Sequence, residues 1–248
     1  MEPALGDGLF AASVEAPPGV VAGSNSLSGT FVAYTPQTLM TAAPVTPSLG
    51  SCYATESLVS PNPALPAPGD ALNAGAMLQG TGPGVSLVAS LVSPGSYFGN
   101  ATNADLLAGS YSVAGSGGSD ISPFQVSFTL PAAGQWTNSS DYTSPSVLTG
   151  RPLTFRWTGG APNTYVKIQV SSAGVTLATS ITCTAAASIG NFTVPDYLTR
   201  LLVQGEGAMS LEFANMPSPF SASGLDLGVL TAGTSSVMAV NFQTPAAQ

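Results

Sequence analysis

The chain has 248 residues, 44% hydrophobic and only 6% charged, with four Lys or Arg, twelve Asp or Glu and no histidine. A formal net charge of −8 with so few cations argues against nucleic-acid binding, which draws its affinity from Lys and Arg, and against anionic membrane surfaces. Without histidine there is no His-based hydrolase triad, and with only two cysteines far apart there is no basis for a zinc, haem or iron–sulfur centre.

Such a chain must meet water with Ser, Thr, Asn, Gln, Gly and backbone rather than with charge. That favours the cell exterior, where neutral surfaces pack against one another or against glycans. The first residues have no basic region and no long apolar run, so they do not read as a signal peptide and the sequence reads as a mature or trimmed form. No run of about 18 apolar residues predicts a membrane span.

The first strand signal falls on residues 9–14, where Leu9, Phe10 and Val14 stand without proline or charge. This segment is either the first strand of its own domain or an assembly strand lent to a neighbouring copy. Further strand signals follow at 30–34, 85–91, 110–114 and 125–130. The Pro-rich stretch 60–69 reads as a loop or extended linker, because proline cannot donate to a ladder. A boundary is expected at residues 131–134, dividing an N-terminal β domain (1–133) from a second domain (134–248).

In the second half the alternation is cleaner. Leu153, Phe155 and Trp157 share one face of a strand, and Val166, Ile168 and Val170 share a face of the next, across turn residues 159–163. Strands are also expected over 175–184, 192–194, 210–213 and 237–242, with one helical turn at 195–202. Short strands between turn signals predict an all-β protein of two β-sandwich domains, the second immunoglobulin-like.

Several residues carry candidate chemistry. Asn100, Asp105 and Asp120 offer oxygens on turns, a weak calcium site or simply Asx and Gly turns. Cys52 and Cys183 form either one long-range bridge in an oxidising compartment or two separate buried thiols. Trp136, Tyr142 and Trp157 form either a sugar-stacking platform or core. Lys167, the only lysine, alternates with apolar residues on a strand and reads as a solvated outer face rather than the base of a Ser–Lys dyad. Asn100, Asn138 and Asn191 each begin an N-x-[ST] pattern.

The run Gly109-Ser110-Tyr111-Ser112-Val113, then Gly117-Gly118-Ser119-Asp120-Ile121-Ser122-Pro123-Phe124, then Trp136-Thr137-Asn138 and Leu153-Thr154-Phe155-Arg156-Trp157-Thr158-Gly159-Gly160 form an ordered series. Cys183-Thr184, Phe192-Thr193-Val194-Pro195 and Ser223-Gly224-Leu225-Asp226-Leu227-Gly228 complete it. Over residues 70–230 this series resembles uncharacterised secreted proteins common in Acidobacteria. The resemblance implies a glycine-rich β region followed by an Ig-like module, and it implies no activity.

The expected function is therefore structural and non-catalytic. It is an extracellular cell-surface or filament subunit that self-associates through β-edge or strand-addition contacts, with no cofactor beyond possible calcium. The alternative is an adhesion module that binds glycans or envelope proteins.

Overall fold

The computed structural model describes residues 5–13, 26–34, 47–59, 70–100, 106–142 and 147–245. The stretch 60–69 read as a linker lies outside them. The strands in chain order begin with β1 (Leu5–Ser13), β2 (Ser26–Tyr34), β3 (Cys52–Leu58), β4 (Asp70–Ala71), β5 (Met77–Gly82) and β6 (Val85–Ser93). They continue with β7 (Ser96–Asn100), β8 (Gly109–Gly115), β9 (Phe124–Leu130), β10 (Gln135–Trp136), β11 (Val147–Leu148) and β12 (Leu153–Thr158). The last are β13 (Thr164–Ala173), β14 (Leu177–Ala186), β15 (Asn191–Val194), β16 (Gly205–Asn215), β17 (Ser218–Phe220) and β18 (Leu227–Gln243). One helical turn, α1 (Asp196–Thr199), precedes β16. The protein is all-β.

One long path of strands runs β3-β14-β13-β16-β18-β1-β2-β7-β6-β5-β8-β9, and a separate three-stranded sheet runs β10-β12-β15. Two hydrophobic cores form along it. The second-half core lies between the small sheet and the near end of the long path. Leu153, Phe155 and Trp157 of β12 face Val166, Ile168 and Val170 of β13 there, together with Leu211 and Phe213 of β16 and Phe242 of β18. Alternation along β12 and β13 puts these residues inward, and Phe155, Val166 and Ile168 are fully buried. The likeness to an immunoglobulin domain extends to two facing sheets around a buried tryptophan.

The other core gathers Leu27, Phe31, Leu78, Tyr97, Tyr111 and Phe124 with neighbours from β2 and β5 to β9. Tyr97 meets Phe31 edge-on at 5.7 Å, and its hydroxyl donates to the Gly75 carbonyl (2.7 Å) while accepting the Ala74 N–H (3.1 Å). Buried apolar residues from Leu27 to Leu130 belong mostly to this core and those from Trp136 onward mostly to the other, with two exchanges. Strand β3 joins β14, bringing Cys52 and Ala54 to the second core. Residues of the C-terminal half, Phe220, Leu225, Leu230 and Ala232, join the first. Gly224 lets that late segment come close: it sits at φ +93°, and a Cβ there would overlap the Asp120 carbonyl.

The strand that connects the two halves of the path is β1. It pairs in parallel with β18, from Asp7↔Leu227 to Ala12↔Ala232, and antiparallel with β2, from Leu5↔Tyr34 to Ser13↔Ser26.

Candidate association surface

Six neighbouring strands, β2, β7, β6, β5, β8 and β9, contain no charged residue. On their outward face Ser90 is surrounded by apolar side chains. Val88 lies two residues away along β6, and Met77 of β5 and Phe98 of β7 stand directly opposite Ser90 on either side; Val92 follows at a break in the β6–β7 register between Leu91 and Ser93. Period two makes this so: Leu87 and Ala89 turn into the core, leaving Val88 and Ser90 outside. Directly opposed residues have Cβ atoms about 5 Å apart, so Met77 and Phe98 lie within reach of the same small serine. All four apolar residues are exposed, from 38% at Met77 to 62% at Val92. Much of the rest of the face is small or polar, including Asn100 at the end of β7 and Thr81 hydrogen-bonded to Ser112 (2.9 Å).

The strand edges are less available than this face. Among the described residues strand β9 pairs with β8 alone, but at its start Ser122 N–H donates to Ser223 O (2.9 Å) and Phe124 packs on Phe220 at 5.5 Å. At its end Asn215 Nδ2 donates to Thr129 O. Strand β1, which carries Leu9 and Phe10, is paired on both sides within its own chain, so in this fold it presents no open edge to a neighbour. Val14 lies outside the described residues. Strand β3 has β14 as its partner and carries Glu56, a charge of the kind that guards an edge.

Of the two readings open for Trp136, Tyr142 and Trp157, the structure takes the core. Trp136 and Trp157 are 5% and 3% exposed. Trp136 stacks on Phe155 at 5.1 Å, and Tyr142 leans on both. Trp157 Nε1 donates to Ala187 O (2.7 Å) and Trp136 Nε1 to Asn138 Oδ1 (3.1 Å). Burial is the physical reason: rings of this area that alternate in phase with a strand's core face contribute most by leaving water. Sequence reasoning saw Asn138 only as an N-x-[ST] position. It is a buried junction whose Oδ1 also accepts the Arg156 N–H (2.8 Å) and whose Nδ2 donates to Thr154 O (2.8 Å). Asn138→Ala would leave the Arg156 N–H and Trp136 Nε1 without this acceptor, while Thr154 O keeps the Tyr142 hydroxyl as a donor, and is expected to cost about 1–3 kcal/mol in urea unfolding.

Of the calcium candidates, Asp120 uses a carboxylate oxygen to accept the Asn73 N–H (2.8 Å), which braces the loop below the first core. Asn100 ends β7 opposite Ser26, and Asp105 lies outside the described residues. Among the described residues no group of three or more His, Cys, Asp or Glu could hold a metal ion. Cys52 and Cys183 are joined in a disulfide, with a Cα–Cα distance of 4.1 Å. They are direct partners in the β3–β14 ladder, and the adjacent pair is hydrogen-bonded through Thr184 N–H to Ser51 O (3.1 Å). Alternation makes 52/183 a non-hydrogen-bonded pair, the position where antiparallel Cα atoms come closest.

On the outward face of β13, Lys167 forms an ion pair with its cross-strand partner Glu212. A shallow hollow of about 420 Å³ lies farther along this face, floored by small residues such as Ser171, Ser180 and Ala208. Tyr165, two residues before Lys167, is 5% exposed. Burial, and then the nearby Glu212 carboxylate, push its phenol up to about 12 from 10.0. Because the folded value is raised, the folded state holds this proton longer than the unfolded chain does. The associated stability is intact below pH 10 and is lost as pH rises through about 12. Tyr165→Phe is expected to flatten the fall in stability over that window, measured by urea titrations at successive pH values.

No protein-family model and no curated protein matches the chain. A solved structure titled "Crystal structure of tetra-tandem repeat in extending region of large adhesion protein" is similar at 14% identity and a TM-score of 0.26, over 96% of this chain and 49% of that one. The chain thus spans about half the length of that structure.

Proposed function

We propose that the protein is a non-catalytic structural module of the cell exterior that packs against copies of itself. The surface is the uncharged outward face of β2 and β5–β9, centred on Ser90. The observation that carries this reading is the exposed cluster of Met77, Val88 and Phe98 on β5, β6 and β7, within six adjacent strands that carry no charge. The chain carries a net −8, so two copies repel wherever their carboxylates meet. An uncharged face lets identical copies approach free of that repulsion, and a two-fold contact buries the same apolar cluster from each side. The disulfide supports an oxidising exterior. Association by face replaces association by edge, because β1 and much of β9 are already engaged. The glycan-binding alternative loses its platform with the burial of Trp136 and Trp157.

Sedimentation velocity over rising protein concentration tests this. Dimers or larger species are expected that persist at high salt, since no ion pair holds them. Val88→Lys with Phe98→Lys is expected to give monomers with unchanged far-UV circular dichroism, both side chains being exposed. A wild-type protein that stays monomeric throughout would sink the self-packing reading and leave a surface module for another partner.

A further inference from the structure

The first and last strands of the described chain lie side by side and run in the same direction. We infer that this arrangement gives the protein a second function, resistance to tension applied between its two ends, so that the module serves as a mechanical link as well as a packing unit.

The argument is geometric. Tension enters β1 at Leu5, where the strand begins, and leaves β18 at Gln243, where that strand ends. In a parallel pair these two points lie at opposite ends of the contact. Pulling them apart draws β1 and β18 past one another along their length. The six register pairs from Asp7↔Leu227 to Ala12↔Ala232 are then strained together rather than in turn. Evenly spaced ladder bonds share such a load, and none can fail far ahead of the rest.

Each strand is also held on its far side. Nine pairs tie β1 to β2, three tie the 228–230 stretch of β18 to β17, and ten tie β18 to β16 farther along, over residues 233–242. Sliding β1 therefore breaks contacts on both flanks at once. Rupture under force is governed by the barrier to unfolding rather than by equilibrium stability, and a barrier requiring many bonds to break together is a high one.

The disulfide adds a second element. Cys52 and Cys183 are 131 residues apart in sequence, and their bond closes that stretch into a loop. Once the terminal clamp gives way, force crosses from residue 52 to residue 183 through the bridge. Strands β3 to β13 and most of β14 then carry no tension along the backbone, and the chain is kept short even after the clamp has failed.

Single-molecule force spectroscopy on the full, oxidised chain tests this, and because each molecule is tethered alone the result is independent of self-packing. Two attachment geometries are compared at one loading rate. The first pulls from the two chain ends. The second pulls from the N-terminal end and a click handle at Leu227, an exposed residue level with Asp7, so that β1 and β18 peel apart pair by pair. The end-to-end geometry is expected to rupture at the higher force. Ala11→Pro, which removes one ladder N–H from a strand paired on both sides, is expected to lower that force. Should the proline variant fail to fold, the comparison of geometries on the wild type decides alone. Reduction of the disulfide is expected to lengthen the fully unfolded tether by about 450 Å, the span of the closed loop at about 3.4 Å per residue. Equal rupture forces in the two geometries would overturn the clamp, and an unchanged extension on reduction would overturn the loop-holding role of the bridge.

Discussion

Trp157→Ala is expected to destabilise the protein by about 3–5 kcal/mol, the range for truncating a large buried aromatic side chain. The ring is 3% exposed and belongs to the core between β12 and the facing strands of the long path. Two losses combine. The removed ring leaves a cavity that Leu153 and Phe155 cannot fill without leaving their own places on β12. The Ala187 carbonyl, which accepts from Trp157 Nε1 at 2.7 Å, loses its donor in a buried turn. Equilibrium urea unfolding with the disulfide intact measures the effect. Trp157→Phe separates the contributions, since it keeps most of the packing and removes only the donor, and is expected to cost appreciably less. A loss under about 1 kcal/mol for the alanine variant would mean that the ring does little for the core.

That strand was readable because every second residue is large and apolar and its core lies on one side. The same signal fails on β5, where the inward positions are Leu78 and Gly80. Leu27 and Leu87 crowd against Gly80, so a Cβ there would stand only 3.2 Å and 3.3 Å from them. The volume that alternation looks for is supplied by other strands. Strand β3 was missed for a different reason. It lies at the edge of its sheet and has no cleanly buried face, so its sequence carries no period to detect. Strand β18 was foreseen only over 237–242. Its earlier half holds Gly228, Thr231, Gly233 and Thr234 as it passes from one core to the other.

The candidate site divides in the same way. The lack of any cation before Arg151, and of any charge over residues 71–104, is visible in the bare sequence. Which strands lie next to one another, and hence that Met77, Val88 and Phe98 gather about Ser90, depends on pairings among strands that no local pattern specifies. The parallel pairing of β1 with β18 joins residues more than two hundred positions apart, and it too has no local signal. For Trp136 and Tyr142 the sequence left core and surface both open. Packing decides for core, because β10 pairs Trp136 with Trp157 and carries its ring onto Phe155.

The second large effect is expected at the disulfide. Replacing both cysteines, Cys52→Ala with Cys183→Ala, is expected to cost up to about 5 kcal/mol if the bridge acts by restricting the unfolded chain, since a loop of 131 residues loses much closure entropy when joined. Measured values often fall short of this chain-entropy figure, and the local geometry indicates where the remainder would go. Strand β3 is attached to the fold through its ladder with β14, from Leu177↔Leu58 to Cys183↔Cys52, and through Thr184 Oγ1, which donates to Pro47 O (3.0 Å) and Ser48 O (2.9 Å). It contributes only partly buried residues to the second core, Cys52 and Ala54. Without the bridge this edge strand is expected to open before the rest, so hydrogen exchange at residues 52–58 should quicken far more than at β13 or β16, which are paired on both sides. The double variant measured by urea unfolding gives the global cost, and exchange gives its location. Two thiols alkylated in the unfolded, unreduced wild-type protein would show that no bridge exists. A uniform rise in exchange across β3, β13 and β16 would show that β3 opens only with the whole sheet.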